Sequence, residues 1–121
     1  MNLSYILRGI ARYQPEAPAV TCEGESLTYA AFETQASRIA GALRSRHGLR
    51  PGDRVGIWME NCLAFFPILY GIWRAGLVAV PINNKLHPKE LAWILDNSGA
   101  RLCIMTADLA EKLSELPAGT P

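Results

Sequence analysis

Three times along this 121-residue chain a helical pattern ends at a glycine and passes into an extended apolar run: at Gly48, at Gly76 and at Gly99. Glycine tolerates the left-handed conformation in which many helices finish, so each marks a switch from helix to strand. The runs that follow, Val55-Gly56-Ile57-Trp58-Met59, Leu77-Val78-Ala79-Val80 and Leu102-Cys103-Ile104-Met105, are apolar at successive positions. A strand with one wet face alternates, whereas these are expected to be covered on both faces, as in a parallel sheet. The segments between them, about 62 to 75 and 88 to 98, are long enough to be right-handed helical crossovers joining parallel strands over 54 to 59, 77 to 81 and 102 to 105. The fold class expected is therefore α/β. Pro67 lies within the first crossover helix and has no N–H to give the carbonyl of Leu63, which predicts a local kink.

The earlier part of the chain reads differently. Leu3, Ile6, Leu7, Ile10 and Tyr13 recur at helical spacing, with Asn2 as a cap and Pro15 and Pro18 ending the segment, which predicts a helix over about 3 to 14. Ala19-Val20-Thr21-Cys22 and Ser26-Leu27-Thr28 flank Glu23-Gly24-Glu25, a spacing suited to a hairpin with Gly24 at the turn. Thr28 is expected to cap a second helix that carries Phe32, Ala36, Ile39, Ala40 and Leu43 on one stripe and runs to about Arg46. A short helix over about 106 to 115 and a loop over 116 to 121 complete the reading of one α/β domain or subdomain over residues 1 to 121.

Half of the residues are apolar, enough for a real core. Twelve Lys and Arg against eleven Asp and Glu leave a net charge of +1, so no broad electrostatic footprint points to nucleic acid or to an anionic membrane. Cys22, Cys62 and Cys103 are odd in number and far apart, which argues against a disulfide framework and against paired metal-ligand spacing. The longest apolar stretch, Cys62 to Trp73, falls short of the roughly 20 residues that a membrane-spanning helix needs. No basic run followed by an apolar run and a cleavage site opens the chain, so no secretory signal is expected and a reducing cytoplasm fits best.

Much chemistry is missing from the sequence. It has no GxGxxG fingerprint, no GxxxxGK run and no GxSxG elbow, so neither a locally encoded phosphate cradle nor a serine nucleophile is expected. His47 and His87 read as solvated loop residues. Cys62 could fall in the first turn of its helix, where the dipole lowers a thiol pKa, but it reads better as a structural cysteine. Trp58, Trp73 and Trp93 read as core packing. From these residues alone no catalytic or metal-ligating group is assigned.

Two segments carry a resemblance. Leu27-Thr28-Tyr29-Ala30-Ala31-Phe32 and Arg74-Ala75-Gly76-Leu77-Val78-Ala79-Val80-Pro81-Ile82-Asn83 resemble the first two core motifs of the adenylate-forming superfamily, which includes acyl-CoA synthetases, peptide-synthetase adenylation domains and luciferases. Arg50-Pro51-Gly52-Asp53-Arg54-Val55-Gly56-Ile57, Glu60-Asn61-Cys62 and the run from Pro88 to Ala100 are similar to the same family in order and spacing. The likeness covers nearly the whole chain. Most of these residues have structural roles: Thr28 starts a helix, Gly52 makes a turn, Gly76 ends a helix and Pro81 ends a strand. One departure is Ala31, where the family often has an acidic residue that would complete a capping box with Thr28.

The resemblance implies the amino-terminal part of the large, AMP-binding domain of such an enzyme. It implies a parent that activates a fatty or aryl carboxylic acid with ATP and Mg2+ to an acyl-adenylate and passes the acyl group to CoA. The family's phosphate loop, ribose-binding acid and adenylation lysine lie in later sequence, so this chain is expected to be an inactive scaffold that packs against the remainder of the polypeptide and self-associates when isolated. The competing reading is a stand-alone, non-catalytic binding or dimerisation module. A flavodoxin-like mononucleotide binder is unsupported, because no βα turn here carries an anion cradle. Lys85, in the loop Asn83-Asn84-Lys85-Leu86, is placed like a basic residue that contacts a CoA phosphate in some CoA ligases.

Overall fold

A computed structural model of the protein describes residues 2–115; the loop expected over 116 to 121 lies outside the described residues. The chain forms two compact units, one holding residues up to Gly52 with Asn61–Val78, the other holding Asp53–Glu60 with residues from Ala79 on.

The first unit contains α1 (Ser4–Tyr13), a hairpin of β1 (Pro18–Cys22) and β2 (Glu25–Thr28), α2 (Tyr29–Ser45) and, later in the chain, α3 (Phe65–Arg74). Asn2 does cap α1: its side-chain oxygen accepts from the Ser4 N–H at 3.0 Å and from the Ser4 hydroxyl at 2.7 Å. The hairpin turn is tighter than expected. Glu23 and Gly24 both have positive φ, 51° and 81°, the pattern of a two-residue turn that matches strand twist, so Glu25 joins the strand and pairs with Cys22. Thr28 caps α2 by accepting from the Ala31 N–H at 3.1 Å; Ala31 has no acid with which to return the bond. Phe32, Ala36, Ala40 and Leu43 are buried as their spacing predicts. Leu7, Phe32 and Ala36 form a core with Val20, Tyr29 and Tyr70 packed against it.

Of the apolar residues at helical spacing on α1, Leu7 is buried, whereas Leu3, Ile6, Ile10 and Tyr13 are exposed, and the other buried residue of the helix is Ser4. The inward side is set by the hydrogen bonds that Ser4 makes, described below. The first crossover helix starts later than expected, at Phe65 rather than 62. Pro67 therefore sits in the first turn, where a proline has no intrahelical hydrogen bond to lose, and the grounds for a kink vanish. Cys62 precedes the helix, its carbonyl accepting from the Phe65 N–H at 3.2 Å.

The second unit is built on a three-stranded parallel sheet of order β4 (Val78–Pro81), β3 (Arg54–Trp58), β5 (Leu102–Met105). The register of the central pair runs from Val55 opposite Leu102 to Trp58 opposite Met105. Between β4 and β5 comes α4 (Pro88–Ser98), and after β5 come α5 (Ala107–Ala110) and a 3-10 turn over Glu111–Glu115. Only β3 is covered on both faces as expected; β4 and β5 are partly open, with Val78 exposed, because they are the outer strands among the described residues. Trp58, Ile82, Leu91 and Leu109 form the core, and full burial of side chains this large contributes about 1.5–3 kcal/mol each. Gly99 ends α4 with φ at 69°. Arg54 closes that end, its Nε donating to the Ser98 carbonyl at 2.9 Å and its Nη2 to the Gly99 carbonyl at 3.3 Å, a cation on the negative end of the helix dipole.

Candidate functional site

In an open parallel sheet the loops that leave the carboxyl ends of the strands share one edge, and ligands of α/β proteins bind there. In the second unit that edge collects Glu60 after β3, Asn83 to Leu86 after β4, and Thr106 to Asp108 after β5. The Trp58 indole N–H, from the end of β3, donates to the Asn83 carbonyl at 3.1 Å. The Asn83 side chain accepts from the Lys85 N–H at 2.9 Å, folding the loop back on itself. Asn84 donates through its amide to Glu60 Oε2 at 2.9 Å, and the Glu60 N–H donates to Thr106 Oγ1 at 3.3 Å. One hydrogen-bonded thread thus links all three loops.

The edge carries mixed charge. Lys85 is exposed at its rim. The Asp108 carboxyl is held below its ordinary value, chiefly by the Thr106 hydroxyl, against the opposing effect of desolvation and with help from backbone N–H groups and the Glu60 side chain. An ammonium here acts as a point charge toward an anion, not as a fork. No group of three His, Cys, Asp or Glu side chains able to hold a metal ion occurs among the described residues.

The other residues singled out from the sequence are scattered. His87 is exposed but is not merely a loop residue: its Nδ1 accepts from the Lys89 N–H at 3.1 Å, so it caps α4 ahead of Pro88. His47 is exposed just past α2. Trp58 is wholly buried, as expected, whereas Trp93 is 66% exposed, two residues beyond the inward Leu91 and therefore on the outer side of α4. Cys103 lies in β5 with its sulfur beside Gly56, and burial pushes its thiol up to about 11.

A second polar constellation, in the first unit, was not legible as such. Arg74, the last residue of α3, is 5% exposed. Its Nε donates to Ser4 Oγ at 2.9 Å, its Nη1 to Glu33 Oε2 at 3.0 Å and Ser37 Oγ at 2.9 Å, and its Nη2 to the Ser4 carbonyl at 2.9 Å and Glu33 Oε1 at 2.5 Å. All five guanidinium N–H donors have acceptors. Burial alone would raise the Glu33 carboxyl, but the hydrogen bonds and charge of Arg74, with Ser37 and Arg8, outweigh it and hold the group below its ordinary value. The arrangement ties α1, α2 and α3 together and leaves no donor free for a ligand, so it is structural. The one signal in the sequence was a charged residue closing the apolar run from Cys62 to Trp73.

The model of the family described as AMP-binding enzyme matches residues 7–120. The chain is 38% identical over 111 residues to the fatty acid–[acyl-carrier-protein] ligase ScoC of Streptomyces coeruleorubidus, covering 92% of this chain and 21% of that protein. It is 41% identical over 109 residues to feruloyl-CoA synthase of an Amycolatopsis species, covering 90% and 22%. Among solved structures, a benzoate CoA ligase from Burkholderia xenovorans LB400 superimposes with a TM-score of 0.88 at 28% identity, over 95% of this chain and 23% of that one. The chain spans about a fifth of the length of the curated relatives it matches.

Proposed function

This chain belongs to the AMP-binding enzyme family, and from that premise we propose that it is the amino-terminal scaffold of an ATP-dependent ligase that joins a fatty or aryl carboxylic acid to CoA through an acyl-adenylate. The observation that carries this reading is the family match over residues 7–120, together with relatives roughly four times as long as this chain. One of those relatives is a fatty acid–carrier-protein ligase and another a feruloyl-CoA synthase, which supports a carboxylic acid and a thiol acceptor as the two substrates. Such relatives do not favour the stand-alone module.

The described residues do not fit ATP or Mg2+. They offer no three-ligand acidic, thiol or imidazole group, and the sequence has no glycine-rich phosphate loop. No step of ATP chemistry is therefore assigned to them. Their part in the reading is to supply a sheet and helices against which the remainder of the polypeptide packs. The exposed α1 stripe and the half-open β4 and β5 support this, and the same surfaces make the isolated chain self-associate; sedimentation as a monomer at high concentration would count against that. No helix among the described residues is long and apolar enough to cross a membrane, and a cytoplasmic location belongs to the same reading. Lys85 contributes a cation to a CoA phosphate, a role supported by its place at the carboxyl edge of the sheet.

The test is carboxylate-dependent exchange of labelled pyrophosphate into ATP. The 121-residue chain is expected to give the blank rate and a polypeptide that continues through a phosphate loop to give exchange. Acid-dependent exchange that co-purifies with the short chain would overturn the assignment of the chemistry to later sequence.

A further inference from the structure

Two of the three cysteines, remote in sequence, converge in the first unit. Cys22 ends β1 at the hairpin turn, and Cys62 lies in the irregular segment ahead of α3. Both are free thiols, neither fully buried nor exposed, and both line one open cavity of ≈ 340 Å³ together with Glu23, Glu25, Leu63 and Ala64. The Cys22 thiol donates to the Asn61 carbonyl at an S···O distance of 3.9 Å. That carbonyl belongs to the peptide unit whose nitrogen is that of Cys62, so peptide geometry puts the Cys22 sulfur within about 6 Å of the Cys62 backbone nitrogen.

We propose that Cys22 and Cys62 form a reversible dithiol–disulfide pair, oxidised by low-molecular-weight disulfides of the glutathione type, whose closure staples the β1–β2 hairpin to the segment ahead of α3. A disulfide asks for Cα atoms about 4.4–6.8 Å apart with the Cβ vectors converging. Residues 59 to 64 belong to no helix or strand, so the adjustment that closure requires falls on backbone outside any ladder. Cys103, in the other unit, serves as the internal control. The exchange is balanced: the thiolate of one cysteine attacks the reagent disulfide and releases one thiol, and the thiolate of the other displaces the second. The protein gives up two electrons and two protons, and the reagent disulfide becomes two thiols.

The experiment equilibrates the full 121-residue chain with graded ratios of oxidised to reduced glutathione, then alkylates free thiols and maps peptides by mass. The expected result is loss of alkylation at Cys22 and Cys62 together, a peptide pair linked through them, retained alkylation of Cys103, and reversal by dithiothreitol. Amide exchange over 18 to 28 is expected to slow in the oxidised form. Cys22→Ser and Cys62→Ser are each expected to stop at a glutathione adduct on the remaining cysteine. Glutathione adducts on both cysteines of the unmutated chain without a link, a link through Cys103, or three alkylatable thiols throughout would each overturn the proposal.

Discussion

Arg74 and Glu33 form a two-pronged ion pair, Nη1 to Oε2 at 3.0 Å and Nη2 to Oε1 at 2.5 Å, with the arginine side chain 5% and the glutamate side chain 18% exposed. Bidentate pairing fixes geometry as well as charge. It spans α2 and α3, and Ser4 brings α1 into the same knot.

Removing one partner of such a pair leaves the other charge in poor surroundings. Arg74→Met is expected to cost about 3–5 kcal/mol in urea unfolding, and the double variant Arg74→Met with Glu33→Leu to recover part of that loss, since well-packed apolar groups can replace a buried pair. A single-variant cost under about 1 kcal/mol would show that water reaches the pair freely.

The same pair sets an acid limit. The Glu33 carboxyl titrates below its ordinary value of 4.5 in the folded chain. A depressed folded pKa contributes stability that is fully present above the unfolded value and is lost as pH falls through the folded one. Stability is therefore expected to decline below pH 4.5, and the decline to be shallower in Glu33→Gln. Parallel acid limbs for the two proteins would remove Glu33 as the cause.

Two helical glycines are expected to respond in opposite senses to alanine. A Cβ on Gly71 would lie 2.7 Å from Ile39 Cγ2, 2.8 Å from Ile39 Cβ and 3.0 Å from the Ala36 carbonyl oxygen, atoms of α2 with little room to move. Gly71→Ala is expected to lower stability by about 1–3 kcal/mol. A Cβ on Gly41 meets nothing within 4 Å, and Gly41→Ala is expected to raise stability by about 0.5–1 kcal/mol through helix propensity. Thermal midpoints of the two variants moving the same way would refute the close approach of α2 and α3.

The proposed role of Lys85 is tested in a polypeptide that continues through a phosphate loop. Lys85→Ala is expected to raise the KM for CoA by about tenfold, the loss of one modest charge interaction, while carboxylate-dependent pyrophosphate exchange stays at the parental rate. An unchanged CoA dependence would leave Lys85 as a solvated loop residue.

The sequence by itself determined those features whose physics is local. Thr28 caps α2 because its side chain reaches an N–H three residues on, and Gly99 ends α4 because only a residue at ease with positive φ can turn there. The continuous apolar run of β3 announced a strand covered on both faces. Tertiary structure decided whatever depends on which face finds a partner. Periodicity placed α1 in the chain, but which of its residues went inward was decided by contacts: Leu7 enters the core, and Ser4 meets the guanidinium of Arg74, a residue 70 positions away. The same holds for Trp93, left outside by the rotation of α4, and for Cys22 and Cys62, which sequence distance kept apart and folding brought to one cavity. The chain encodes amphipathicity residue by residue, but hydrogen-bond satisfaction and packing are properties of pairs, and a pair distant in sequence exists only once the backbone has closed on itself.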